Sequence, residues 1–185
     1  MKRWLGLLFV LLMLCGCSGK NAELDRAMWL RAQLLGQSCS FDADITADYG
    51  DKLYEFSLRC QGDPQGNLGF QVLQPDTIRD ITGQFSNRTG KLTFDDVALE
   101  FPLLADDQVT PVSAPWLLLK TLQGGYLTSA GMEGDLLRLT INETYEDDAL
   151  QLDIWLNEEN LPVRGDILYA GRRILTLTIK DFQIQ

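Results

Sequence analysis

Two periods of apolar residues divide the chain. Between Asn21 and Leu35, Leu24, Ala27, Met28, Leu34 and Leu35 recur at three-to-four spacing, with the Arg31 stem at the edge of the stripe and Gly36 as a stop. This segment is predicted to be an amphipathic helix. From Ser38 the period becomes two. Cys39, Phe41, Ala43, Ile45 and Ala47 alternate with polar residues up to Asp48, and Tyr54, Phe56, Leu58 and Cys60 alternate with Glu55, Ser57 and Arg59. With Tyr49-Gly50-Asp51 between them, the two runs predict a β-hairpin. Two registers are open. A Tyr49-Gly50 loop sets Cys39 against Cys60, and a Gly50-Asp51 loop sets Phe41 against Cys60; both keep the cysteines on the apolar face.

Further extended segments follow. Leu68, Phe70 and Val72 share a face before Pro75, and Ile78 to Phe85 and Lys91 to Phe101 read as strands split by Asn87-Arg88-Thr89-Gly90. Asp106 to Ser113 is a polar connector. Pro115 to Gln123 reads as a helix, with Ala114 at the N-cap, Pro115 in the first turn and Gly124-Gly125 at the stop. After an extended stretch near Tyr126 to Ala130, alternating runs at Leu137 to Ile141, Leu150 to Leu156 and Leu175 to Ile179, and a segment from Pro162 to Tyr169, complete the chain. One apolar and one polar face per strand is the pattern of an antiparallel sheet covered on one side.

That pattern carries a mismatch. Eight strands at about 4.8 Å spacing make a sheet about 38 Å wide, and two helices about 10 Å across cover about half of it. The rest must be buried by curling, by a nonpolar ligand or by a partner.

The N-terminus differs from the body. Lys2 and Arg3 precede an uninterrupted apolar run of 11 residues from Trp4 to Leu14, too short to span a bilayer, which needs about 20. Leu14-Cys15-Gly16-Cys17 then resembles a bacterial lipobox, with Cys17 as the thiol that receives the lipid. The expectation is a lipoprotein signal peptide at 1–16, a lipidated tether at 17–20 and one domain at 21–185. An ordinary signal peptide containing cysteines is the alternative. Losing Lys2 and Arg3 leaves 14 basic against 26 acidic residues, a mature charge of −12. Such a body cannot dock electrostatically on an anionic leaflet, so the acyl chains, at about 0.8 kcal/mol per buried CH₂, must supply the membrane affinity. The extended tether reaches only about 10–14 Å, so the domain is expected close to the bilayer; the lipobox implies the extracytoplasmic face of the cell membrane, or the outer membrane if the organism has two.

The 185 residues contain no histidine. This excludes Ser-His-Asp and Cys-His catalysis and His-ligated zinc or haem, and the acidic balance argues against nucleic acid. No cofactor is expected. Cys39 and Cys60 remain after processing; outside the cytoplasm they read as a disulfide worth about 3 kcal/mol, with buried free thiols as the alternative. The pairs Asp95-Asp96, Asp106-Asp107, Asp147-Asp148 and Glu158-Glu159 read as solvated turn charge, and no metal site is assigned; Asp42 and Asp44 share a polar face that could hold a weak cation. Arg164-Gly165-Asp166 lies in a predicted strand and is not read as an adhesion motif. Trp155, on the polar face of its strand, is a candidate surface contact for membrane or partner.

The order of elements resembles the LolA/LolB-like lipoprotein-carrier superfamily: an amphipathic helix, the Phe41-Asp42-Ala43 strand of a long hairpin, a strand ending in Gln74-Pro75, a mid-chain helix and a closing meander. The lipobox is similar to the lipid-anchored Gram-positive branch that includes the germination lipoprotein GerS group. The resemblance implies a mainly β, strongly curved antiparallel half-barrel with about two helices against its concave face, and no enzyme activity. It implies a cavity for a lipid or other nonpolar ligand, walled by Phe41, Ile45, Tyr54, Phe56, Leu58, Phe70, Leu139, Leu152, Ile154 and Leu177 and covered by Trp116 and Leu119. In that reading the mid-chain helix is a lid; otherwise it is the most buried helix of the core. The alternative function is an anchored scaffold that recruits or regulates an envelope enzyme, such as one of sporulation or germination.

Overall fold

In a computed structural model, residues 19–185 are described except 88, 95, 96, 103, 106, 107, 147 and 148. The signal peptide, Cys17 and three of the four acidic pairs therefore lie outside the described residues. Helix α1 (Gly19–Gly36) leads into strands β1 (Cys39–Asp48), β2 (Leu53–Gly62), β3 (Leu68–Gln74), β4 (Thr82–Ser86), β5 (Thr89–Phe94) and β6 (Val97–Pro102). A short hairpin, β7 (Leu104–Ala105) and β8 (Gln108–Val109), and a 3-10 turn (Pro111–Ser113) bring in helix α2 (Ala114–Gly124). Strands β9 (Tyr126–Glu133), β10 (Leu136–Asn142), β11 (Gln151–Leu156), β12 (Pro162–Tyr169) and β13 (Arg172–Ile184) finish the chain.

Eleven strands form one antiparallel sheet, in the order β6-β5-β4-β3-β2-β1-β13-β12-β11-β10-β9. Two meanders, one from each half of the chain, are thus joined where β1 pairs with β13. The sheet is not closed, because β6 and β9 are its edges.

The first hairpin takes the second of the two open registers: Phe41 faces Cys60, and Cys39 faces Gly62. The turn chemistry explains the choice. This register puts Gly50, at φ 93°, first in the loop, where a left-handed conformation is required and a tyrosine would be strained. The Asp48 carboxylate also accepts the Gly50 N–H at 2.8 Å. Cys39 and Cys60 become diagonal neighbours rather than a facing pair, and both are buried free thiols, contrary to the bridged reading.

Sheet curvature follows from what α2 touches. At its start, the Trp116 ring stacks on Phe85 of β4 with centroids 5.9 Å apart, and Trp116 Nε1–H donates to the Gly66 carbonyl at 2.9 Å. Just past its end, a Cβ on Gly125 would lie 2.7 Å from Ile141 of β10. From β4 to β10 is seven strand spacings, about 34 Å of flat sheet, whereas an 11-residue helix is about 16 Å long. Both contacts are met only because the sheet curls around the helix. Gly62 on β2 admits the helix closely, since a Cβ there would sit 2.4 Å from Leu119 Cδ2.

Two local expectations are corrected. Ser113, not Ala114, occupies the N-cap position of α2, and its hydroxyl donates back to the Thr110 carbonyl at 2.6 Å. On α1 the buried residues are Ala27, Leu30 and Leu34, while Leu24, Met28, Trp29 and Leu35 are exposed. Arginines set this rotation. Arg31 donates to the Leu122 and Gly125 carbonyls at the end of α2 at 2.7 and 2.8 Å, a favoured place for a cation. Arg26 donates to the Asn157 carbonyl at 2.8 Å on the other flank.

Candidate functional site

The expected cavity wall is packed solid. Phe41, Ile45, Leu58, Phe70, Leu139, Leu152, Ile154 and Leu177, with Trp116 and Leu119 above them, are each no more than 5% exposed and belong to one core cluster. The reason is α2: nine of its eleven residues are buried, so it is the central core helix and not a lid. Curling of the sheet resolves most of the mismatch between sheet area and helix cover.

The remainder lies at one end of the sheet. Register places Phe70 opposite Gly83, Gly83 opposite Leu92 and Leu92 opposite Leu99; Phe85, Gly90 and Phe101 form the next row, and Phe94 faces Val97. Directly paired residues point to one side, so all of these share the concave face with the core. Gly83 and Gly90 are small because rings lie over them: a Cβ would meet Phe70 at 2.4 Å and Phe101 at 2.3 Å. Beyond these rings nothing covers the sheet among the described residues. Phe94 is 56% exposed, Val97 69% and Leu99 63%, with Leu92 half-buried beside them. At the same end of the strands, Tyr54 is 40% exposed and stacks on half-buried Phe56 at 6.5 Å. Of the twelve expected cavity residues, Phe70 lies in the row that leads to this uncovered strip, and Tyr54 and Phe56 are the two that are not fully buried. Leu92, Phe94, Val97 and Leu99 were missed. Their alternation on either side of Asp95-Asp96 was the signal for a hairpin, within a stretch read as one extended segment.

The convex face holds the polar chemistry, and most of it is paired within the sheet. Asp153 accepts from Arg138 at 2.6 Å and from the Thr140 hydroxyl at 2.7 Å. Asp166 accepts from Arg164 at 2.7 Å and Arg173 at 3.2 Å. Trp155 lies between Arg164 and Arg138, 4.4 and 5.4 Å from its ring centroid, and donates to Glu133 at 3.2 Å. At 6% exposure it is no free contact surface, which corrects the expectation for this residue. Arg164-Gly165-Asp166 is spent within the sheet. Asp42 pairs with Arg59 at 3.2 Å, and Asp44 accepts from Ser57 and Lys180 at 2.7 and 2.5 Å. Lys180 and then Ser57 hold the Asp44 carboxyl below its ordinary value. These partners already neutralise the proposed cation position. Among the described residues no group of three or more His, Cys, Asp or Glu side chains could hold a metal. No described helix is long and apolar enough to cross a membrane.

The molecule is thus an open antiparallel sheet curled around one buried helix, with the apolar side bare at one end. In fold it is similar to a LolA superfamily protein from Nitrosomonas europaea (11% identity over 86% of this chain and 93% of that one, TM-score 0.44). It is also similar to the lipoprotein LppX of Mycobacterium tuberculosis (11% identity, 87% and 93% covered, TM-score 0.41), and to the structure of the CwlD amidase from Clostridioides difficile in complex with the GerS lipoprotein (14% identity, 80% and 87% covered, TM-score 0.44). At these scores the likeness is one of architecture, and nothing about function rests on it. No family model matches the chain, and no curated protein matches it.

Proposed function

We propose that this chain is a bacterial envelope lipoprotein, held at the extracytoplasmic membrane face by acyl chains on Cys17, that binds a lipid or other nonpolar ligand without catalysis. The observation that carries the reading is the bare row of Phe94, Val97 and Leu99, continuous with the core face of the same sheet. Apolar side chains in such a row are a binding surface or a liability. A ligand seated there needs no space inside the packed interior, so the binding position moves from the expected cavity to the β5–β6 end. The absence of histidine and the pairing of the buried acids support a role without chemistry.

The test is lipid extraction and mass spectrometry on protein purified without detergent, beside Val97→Asp/Leu99→Asp. Lipid on the wild type and none on the equally stable variant is the expected result. A clean spectrum for both removes the ligand. A second reading, an anchored module that recruits an envelope protein, is supported by β6 being an unpaired sheet edge, which can accept a partner strand. Crosslinking that captures a protein in a Val97/Leu99-dependent way, with no lipid bound, would favour it.

A further inference from the structure

The outward face of α1 carries an exposed apolar stripe. Leu24, Met28 and Leu35 are 43, 47 and 52% exposed, and Ala32 is exposed between them. At 100° per residue these four fall within an arc of about 80°. Trp29, 43% exposed, flanks the arc. The opposite side is taken up by Ala27, Leu30 and Leu34 in the core and by Arg26 on the Asn157 carbonyl, while Arg31, at the edge of the stripe beside Leu24, reaches the carbonyls at the end of α2. Rotating the helix to bury the outer stripe would break both arginine anchors, so the stripe is held outward.

Position says what covers it. The helix begins at Gly19, and two residues of chain from Cys17 span at most about 7 Å. An 18-residue helix is about 27 Å long; lying flat, it brings every outward apolar residue to the bilayer at one depth. We propose that α1 lies along the membrane surface, with Leu24, Met28, Trp29 and Leu35 at the boundary between headgroups and acyl chains. The inference rests on lipidation at Cys17 as proposed above. Asp25, also on the outward side and exposed, limits the depth to the headgroup layer. Because the mature body is strongly acidic, the contact is apolar and is no weaker on zwitterionic than on anionic lipid.

Trp29 supplies the readout, since Trp116 and Trp155 are 1 and 6% exposed and processing before Cys17 removes Trp4. The full chain, expressed with its leader so that processing can occur, is reconstituted in phosphatidylcholine vesicles with and without acyl-brominated phosphatidylcholine. Intact mass reports whether Cys17 is acylated. The expected result is bromine quenching of tryptophan emission that disappears in Trp29→Phe and in Leu24→Ser/Met28→Ser/Leu35→Ser, with unchanged thermal stability. Acylated protein whose Trp29 stays unquenched overturns the inference and leaves the anchor standing. Quenching without acylation that is lost in Trp29→Phe, and so does not come from Trp4 of an uncleaved leader, keeps the helix contact and overturns the anchor. Neither acylation nor quenching overturns both. Crosslinked dimers abolished by the serine variant, with Trp29 unquenched, would give the face to a second copy and overturn the inference.

Discussion

Curling of the sheet around α2 makes Gly62 a sharp probe. Gly62→Ala adds a methyl 2.4 Å from Leu119 Cδ2 and 3.0 Å from Cys39 Sγ, whereas carbon contacts settle at about 3.5–4.0 Å. Leu119 would have to retreat by about 1 Å, yet it is 1% exposed and has nowhere to go. Overpacking of this kind costs about 1–3 kcal/mol. Loss of glycine freedom in the unfolded chain returns about 0.4–1 kcal/mol, and neither Gly62 nor Gly165 has a left-handed backbone that would add strain. The net expectation is about 1–2 kcal/mol of destabilisation, a fall in Tm of about 3–6 °C for a domain of this size. Gly165→Ala is the internal control. It faces the same helix, but its nearest neighbour is 3.1 Å away and the next 3.7 Å, so its cost and gain should nearly cancel. Urea titration of both variants measures the difference. Trimming the clashing side chain in Gly62→Ala/Leu119→Val should cost less than the sum of the single changes. Equal midpoints for the two glycine variants, or a more stable Gly62→Ala, would refute the close approach of α2 to β2.

Trp155→Ala should lower unfolding stability by about 3 kcal/mol in urea, because the indole is clamped between two guanidinium groups, and should leave bound lipid unchanged; a silent substitution would return Trp155 to the surface. Burial pushes the Cys39 thiol up to about 11 and the Cys60 thiol well above its ordinary value. Neither should react with Ellman's reagent at about pH 8 in the native protein, and in protein cleaved before Cys17 and acylated on it two thiols should titrate in denaturant; none in denaturant would identify a bridged pair. Asp44, held low by Lys180 and Ser57, contributes stability that is complete above about pH 4 and lost as pH falls through its depressed folded-state value. Asp44→Asn should therefore lower the urea midpoint near neutrality, by an amount that shrinks towards about pH 2.

Much of the sheet was legible because alternation is a strong signal where one face is buried. In β1 every odd position from Cys39 to Ala47 is buried, as its pattern required. The rotation of α1 was not legible. Leu24, Met28, Trp29, Leu30, Leu34 and Leu35 surround most of that helix, so hydropathy offers several faces, and the choice was made by Arg26 and Arg31 finding carbonyls remote in sequence. Trp155 was misread because an indole on a polar face looks exposed until two arginines from neighbouring strands close over it. Eight of the residues expected to wall a cavity are buried in the core cluster, but packing density is a property of facing layers, and no single strand encodes it.

The seam between β1 and β13 has a consequence for biogenesis. Ser38 and Gln185 exchange backbone hydrogen bonds at 3.1 and 2.8 Å, so the first and last strands are neighbours. Each meander can form from local hairpins, but the two cannot zip together until β13 is available to pair with β1. A chain in which β13 is missing or unfolded would present an unpaired edge on each inner strand, the substrate of chaperones and proteases. Joining of the two halves is therefore gated by β13.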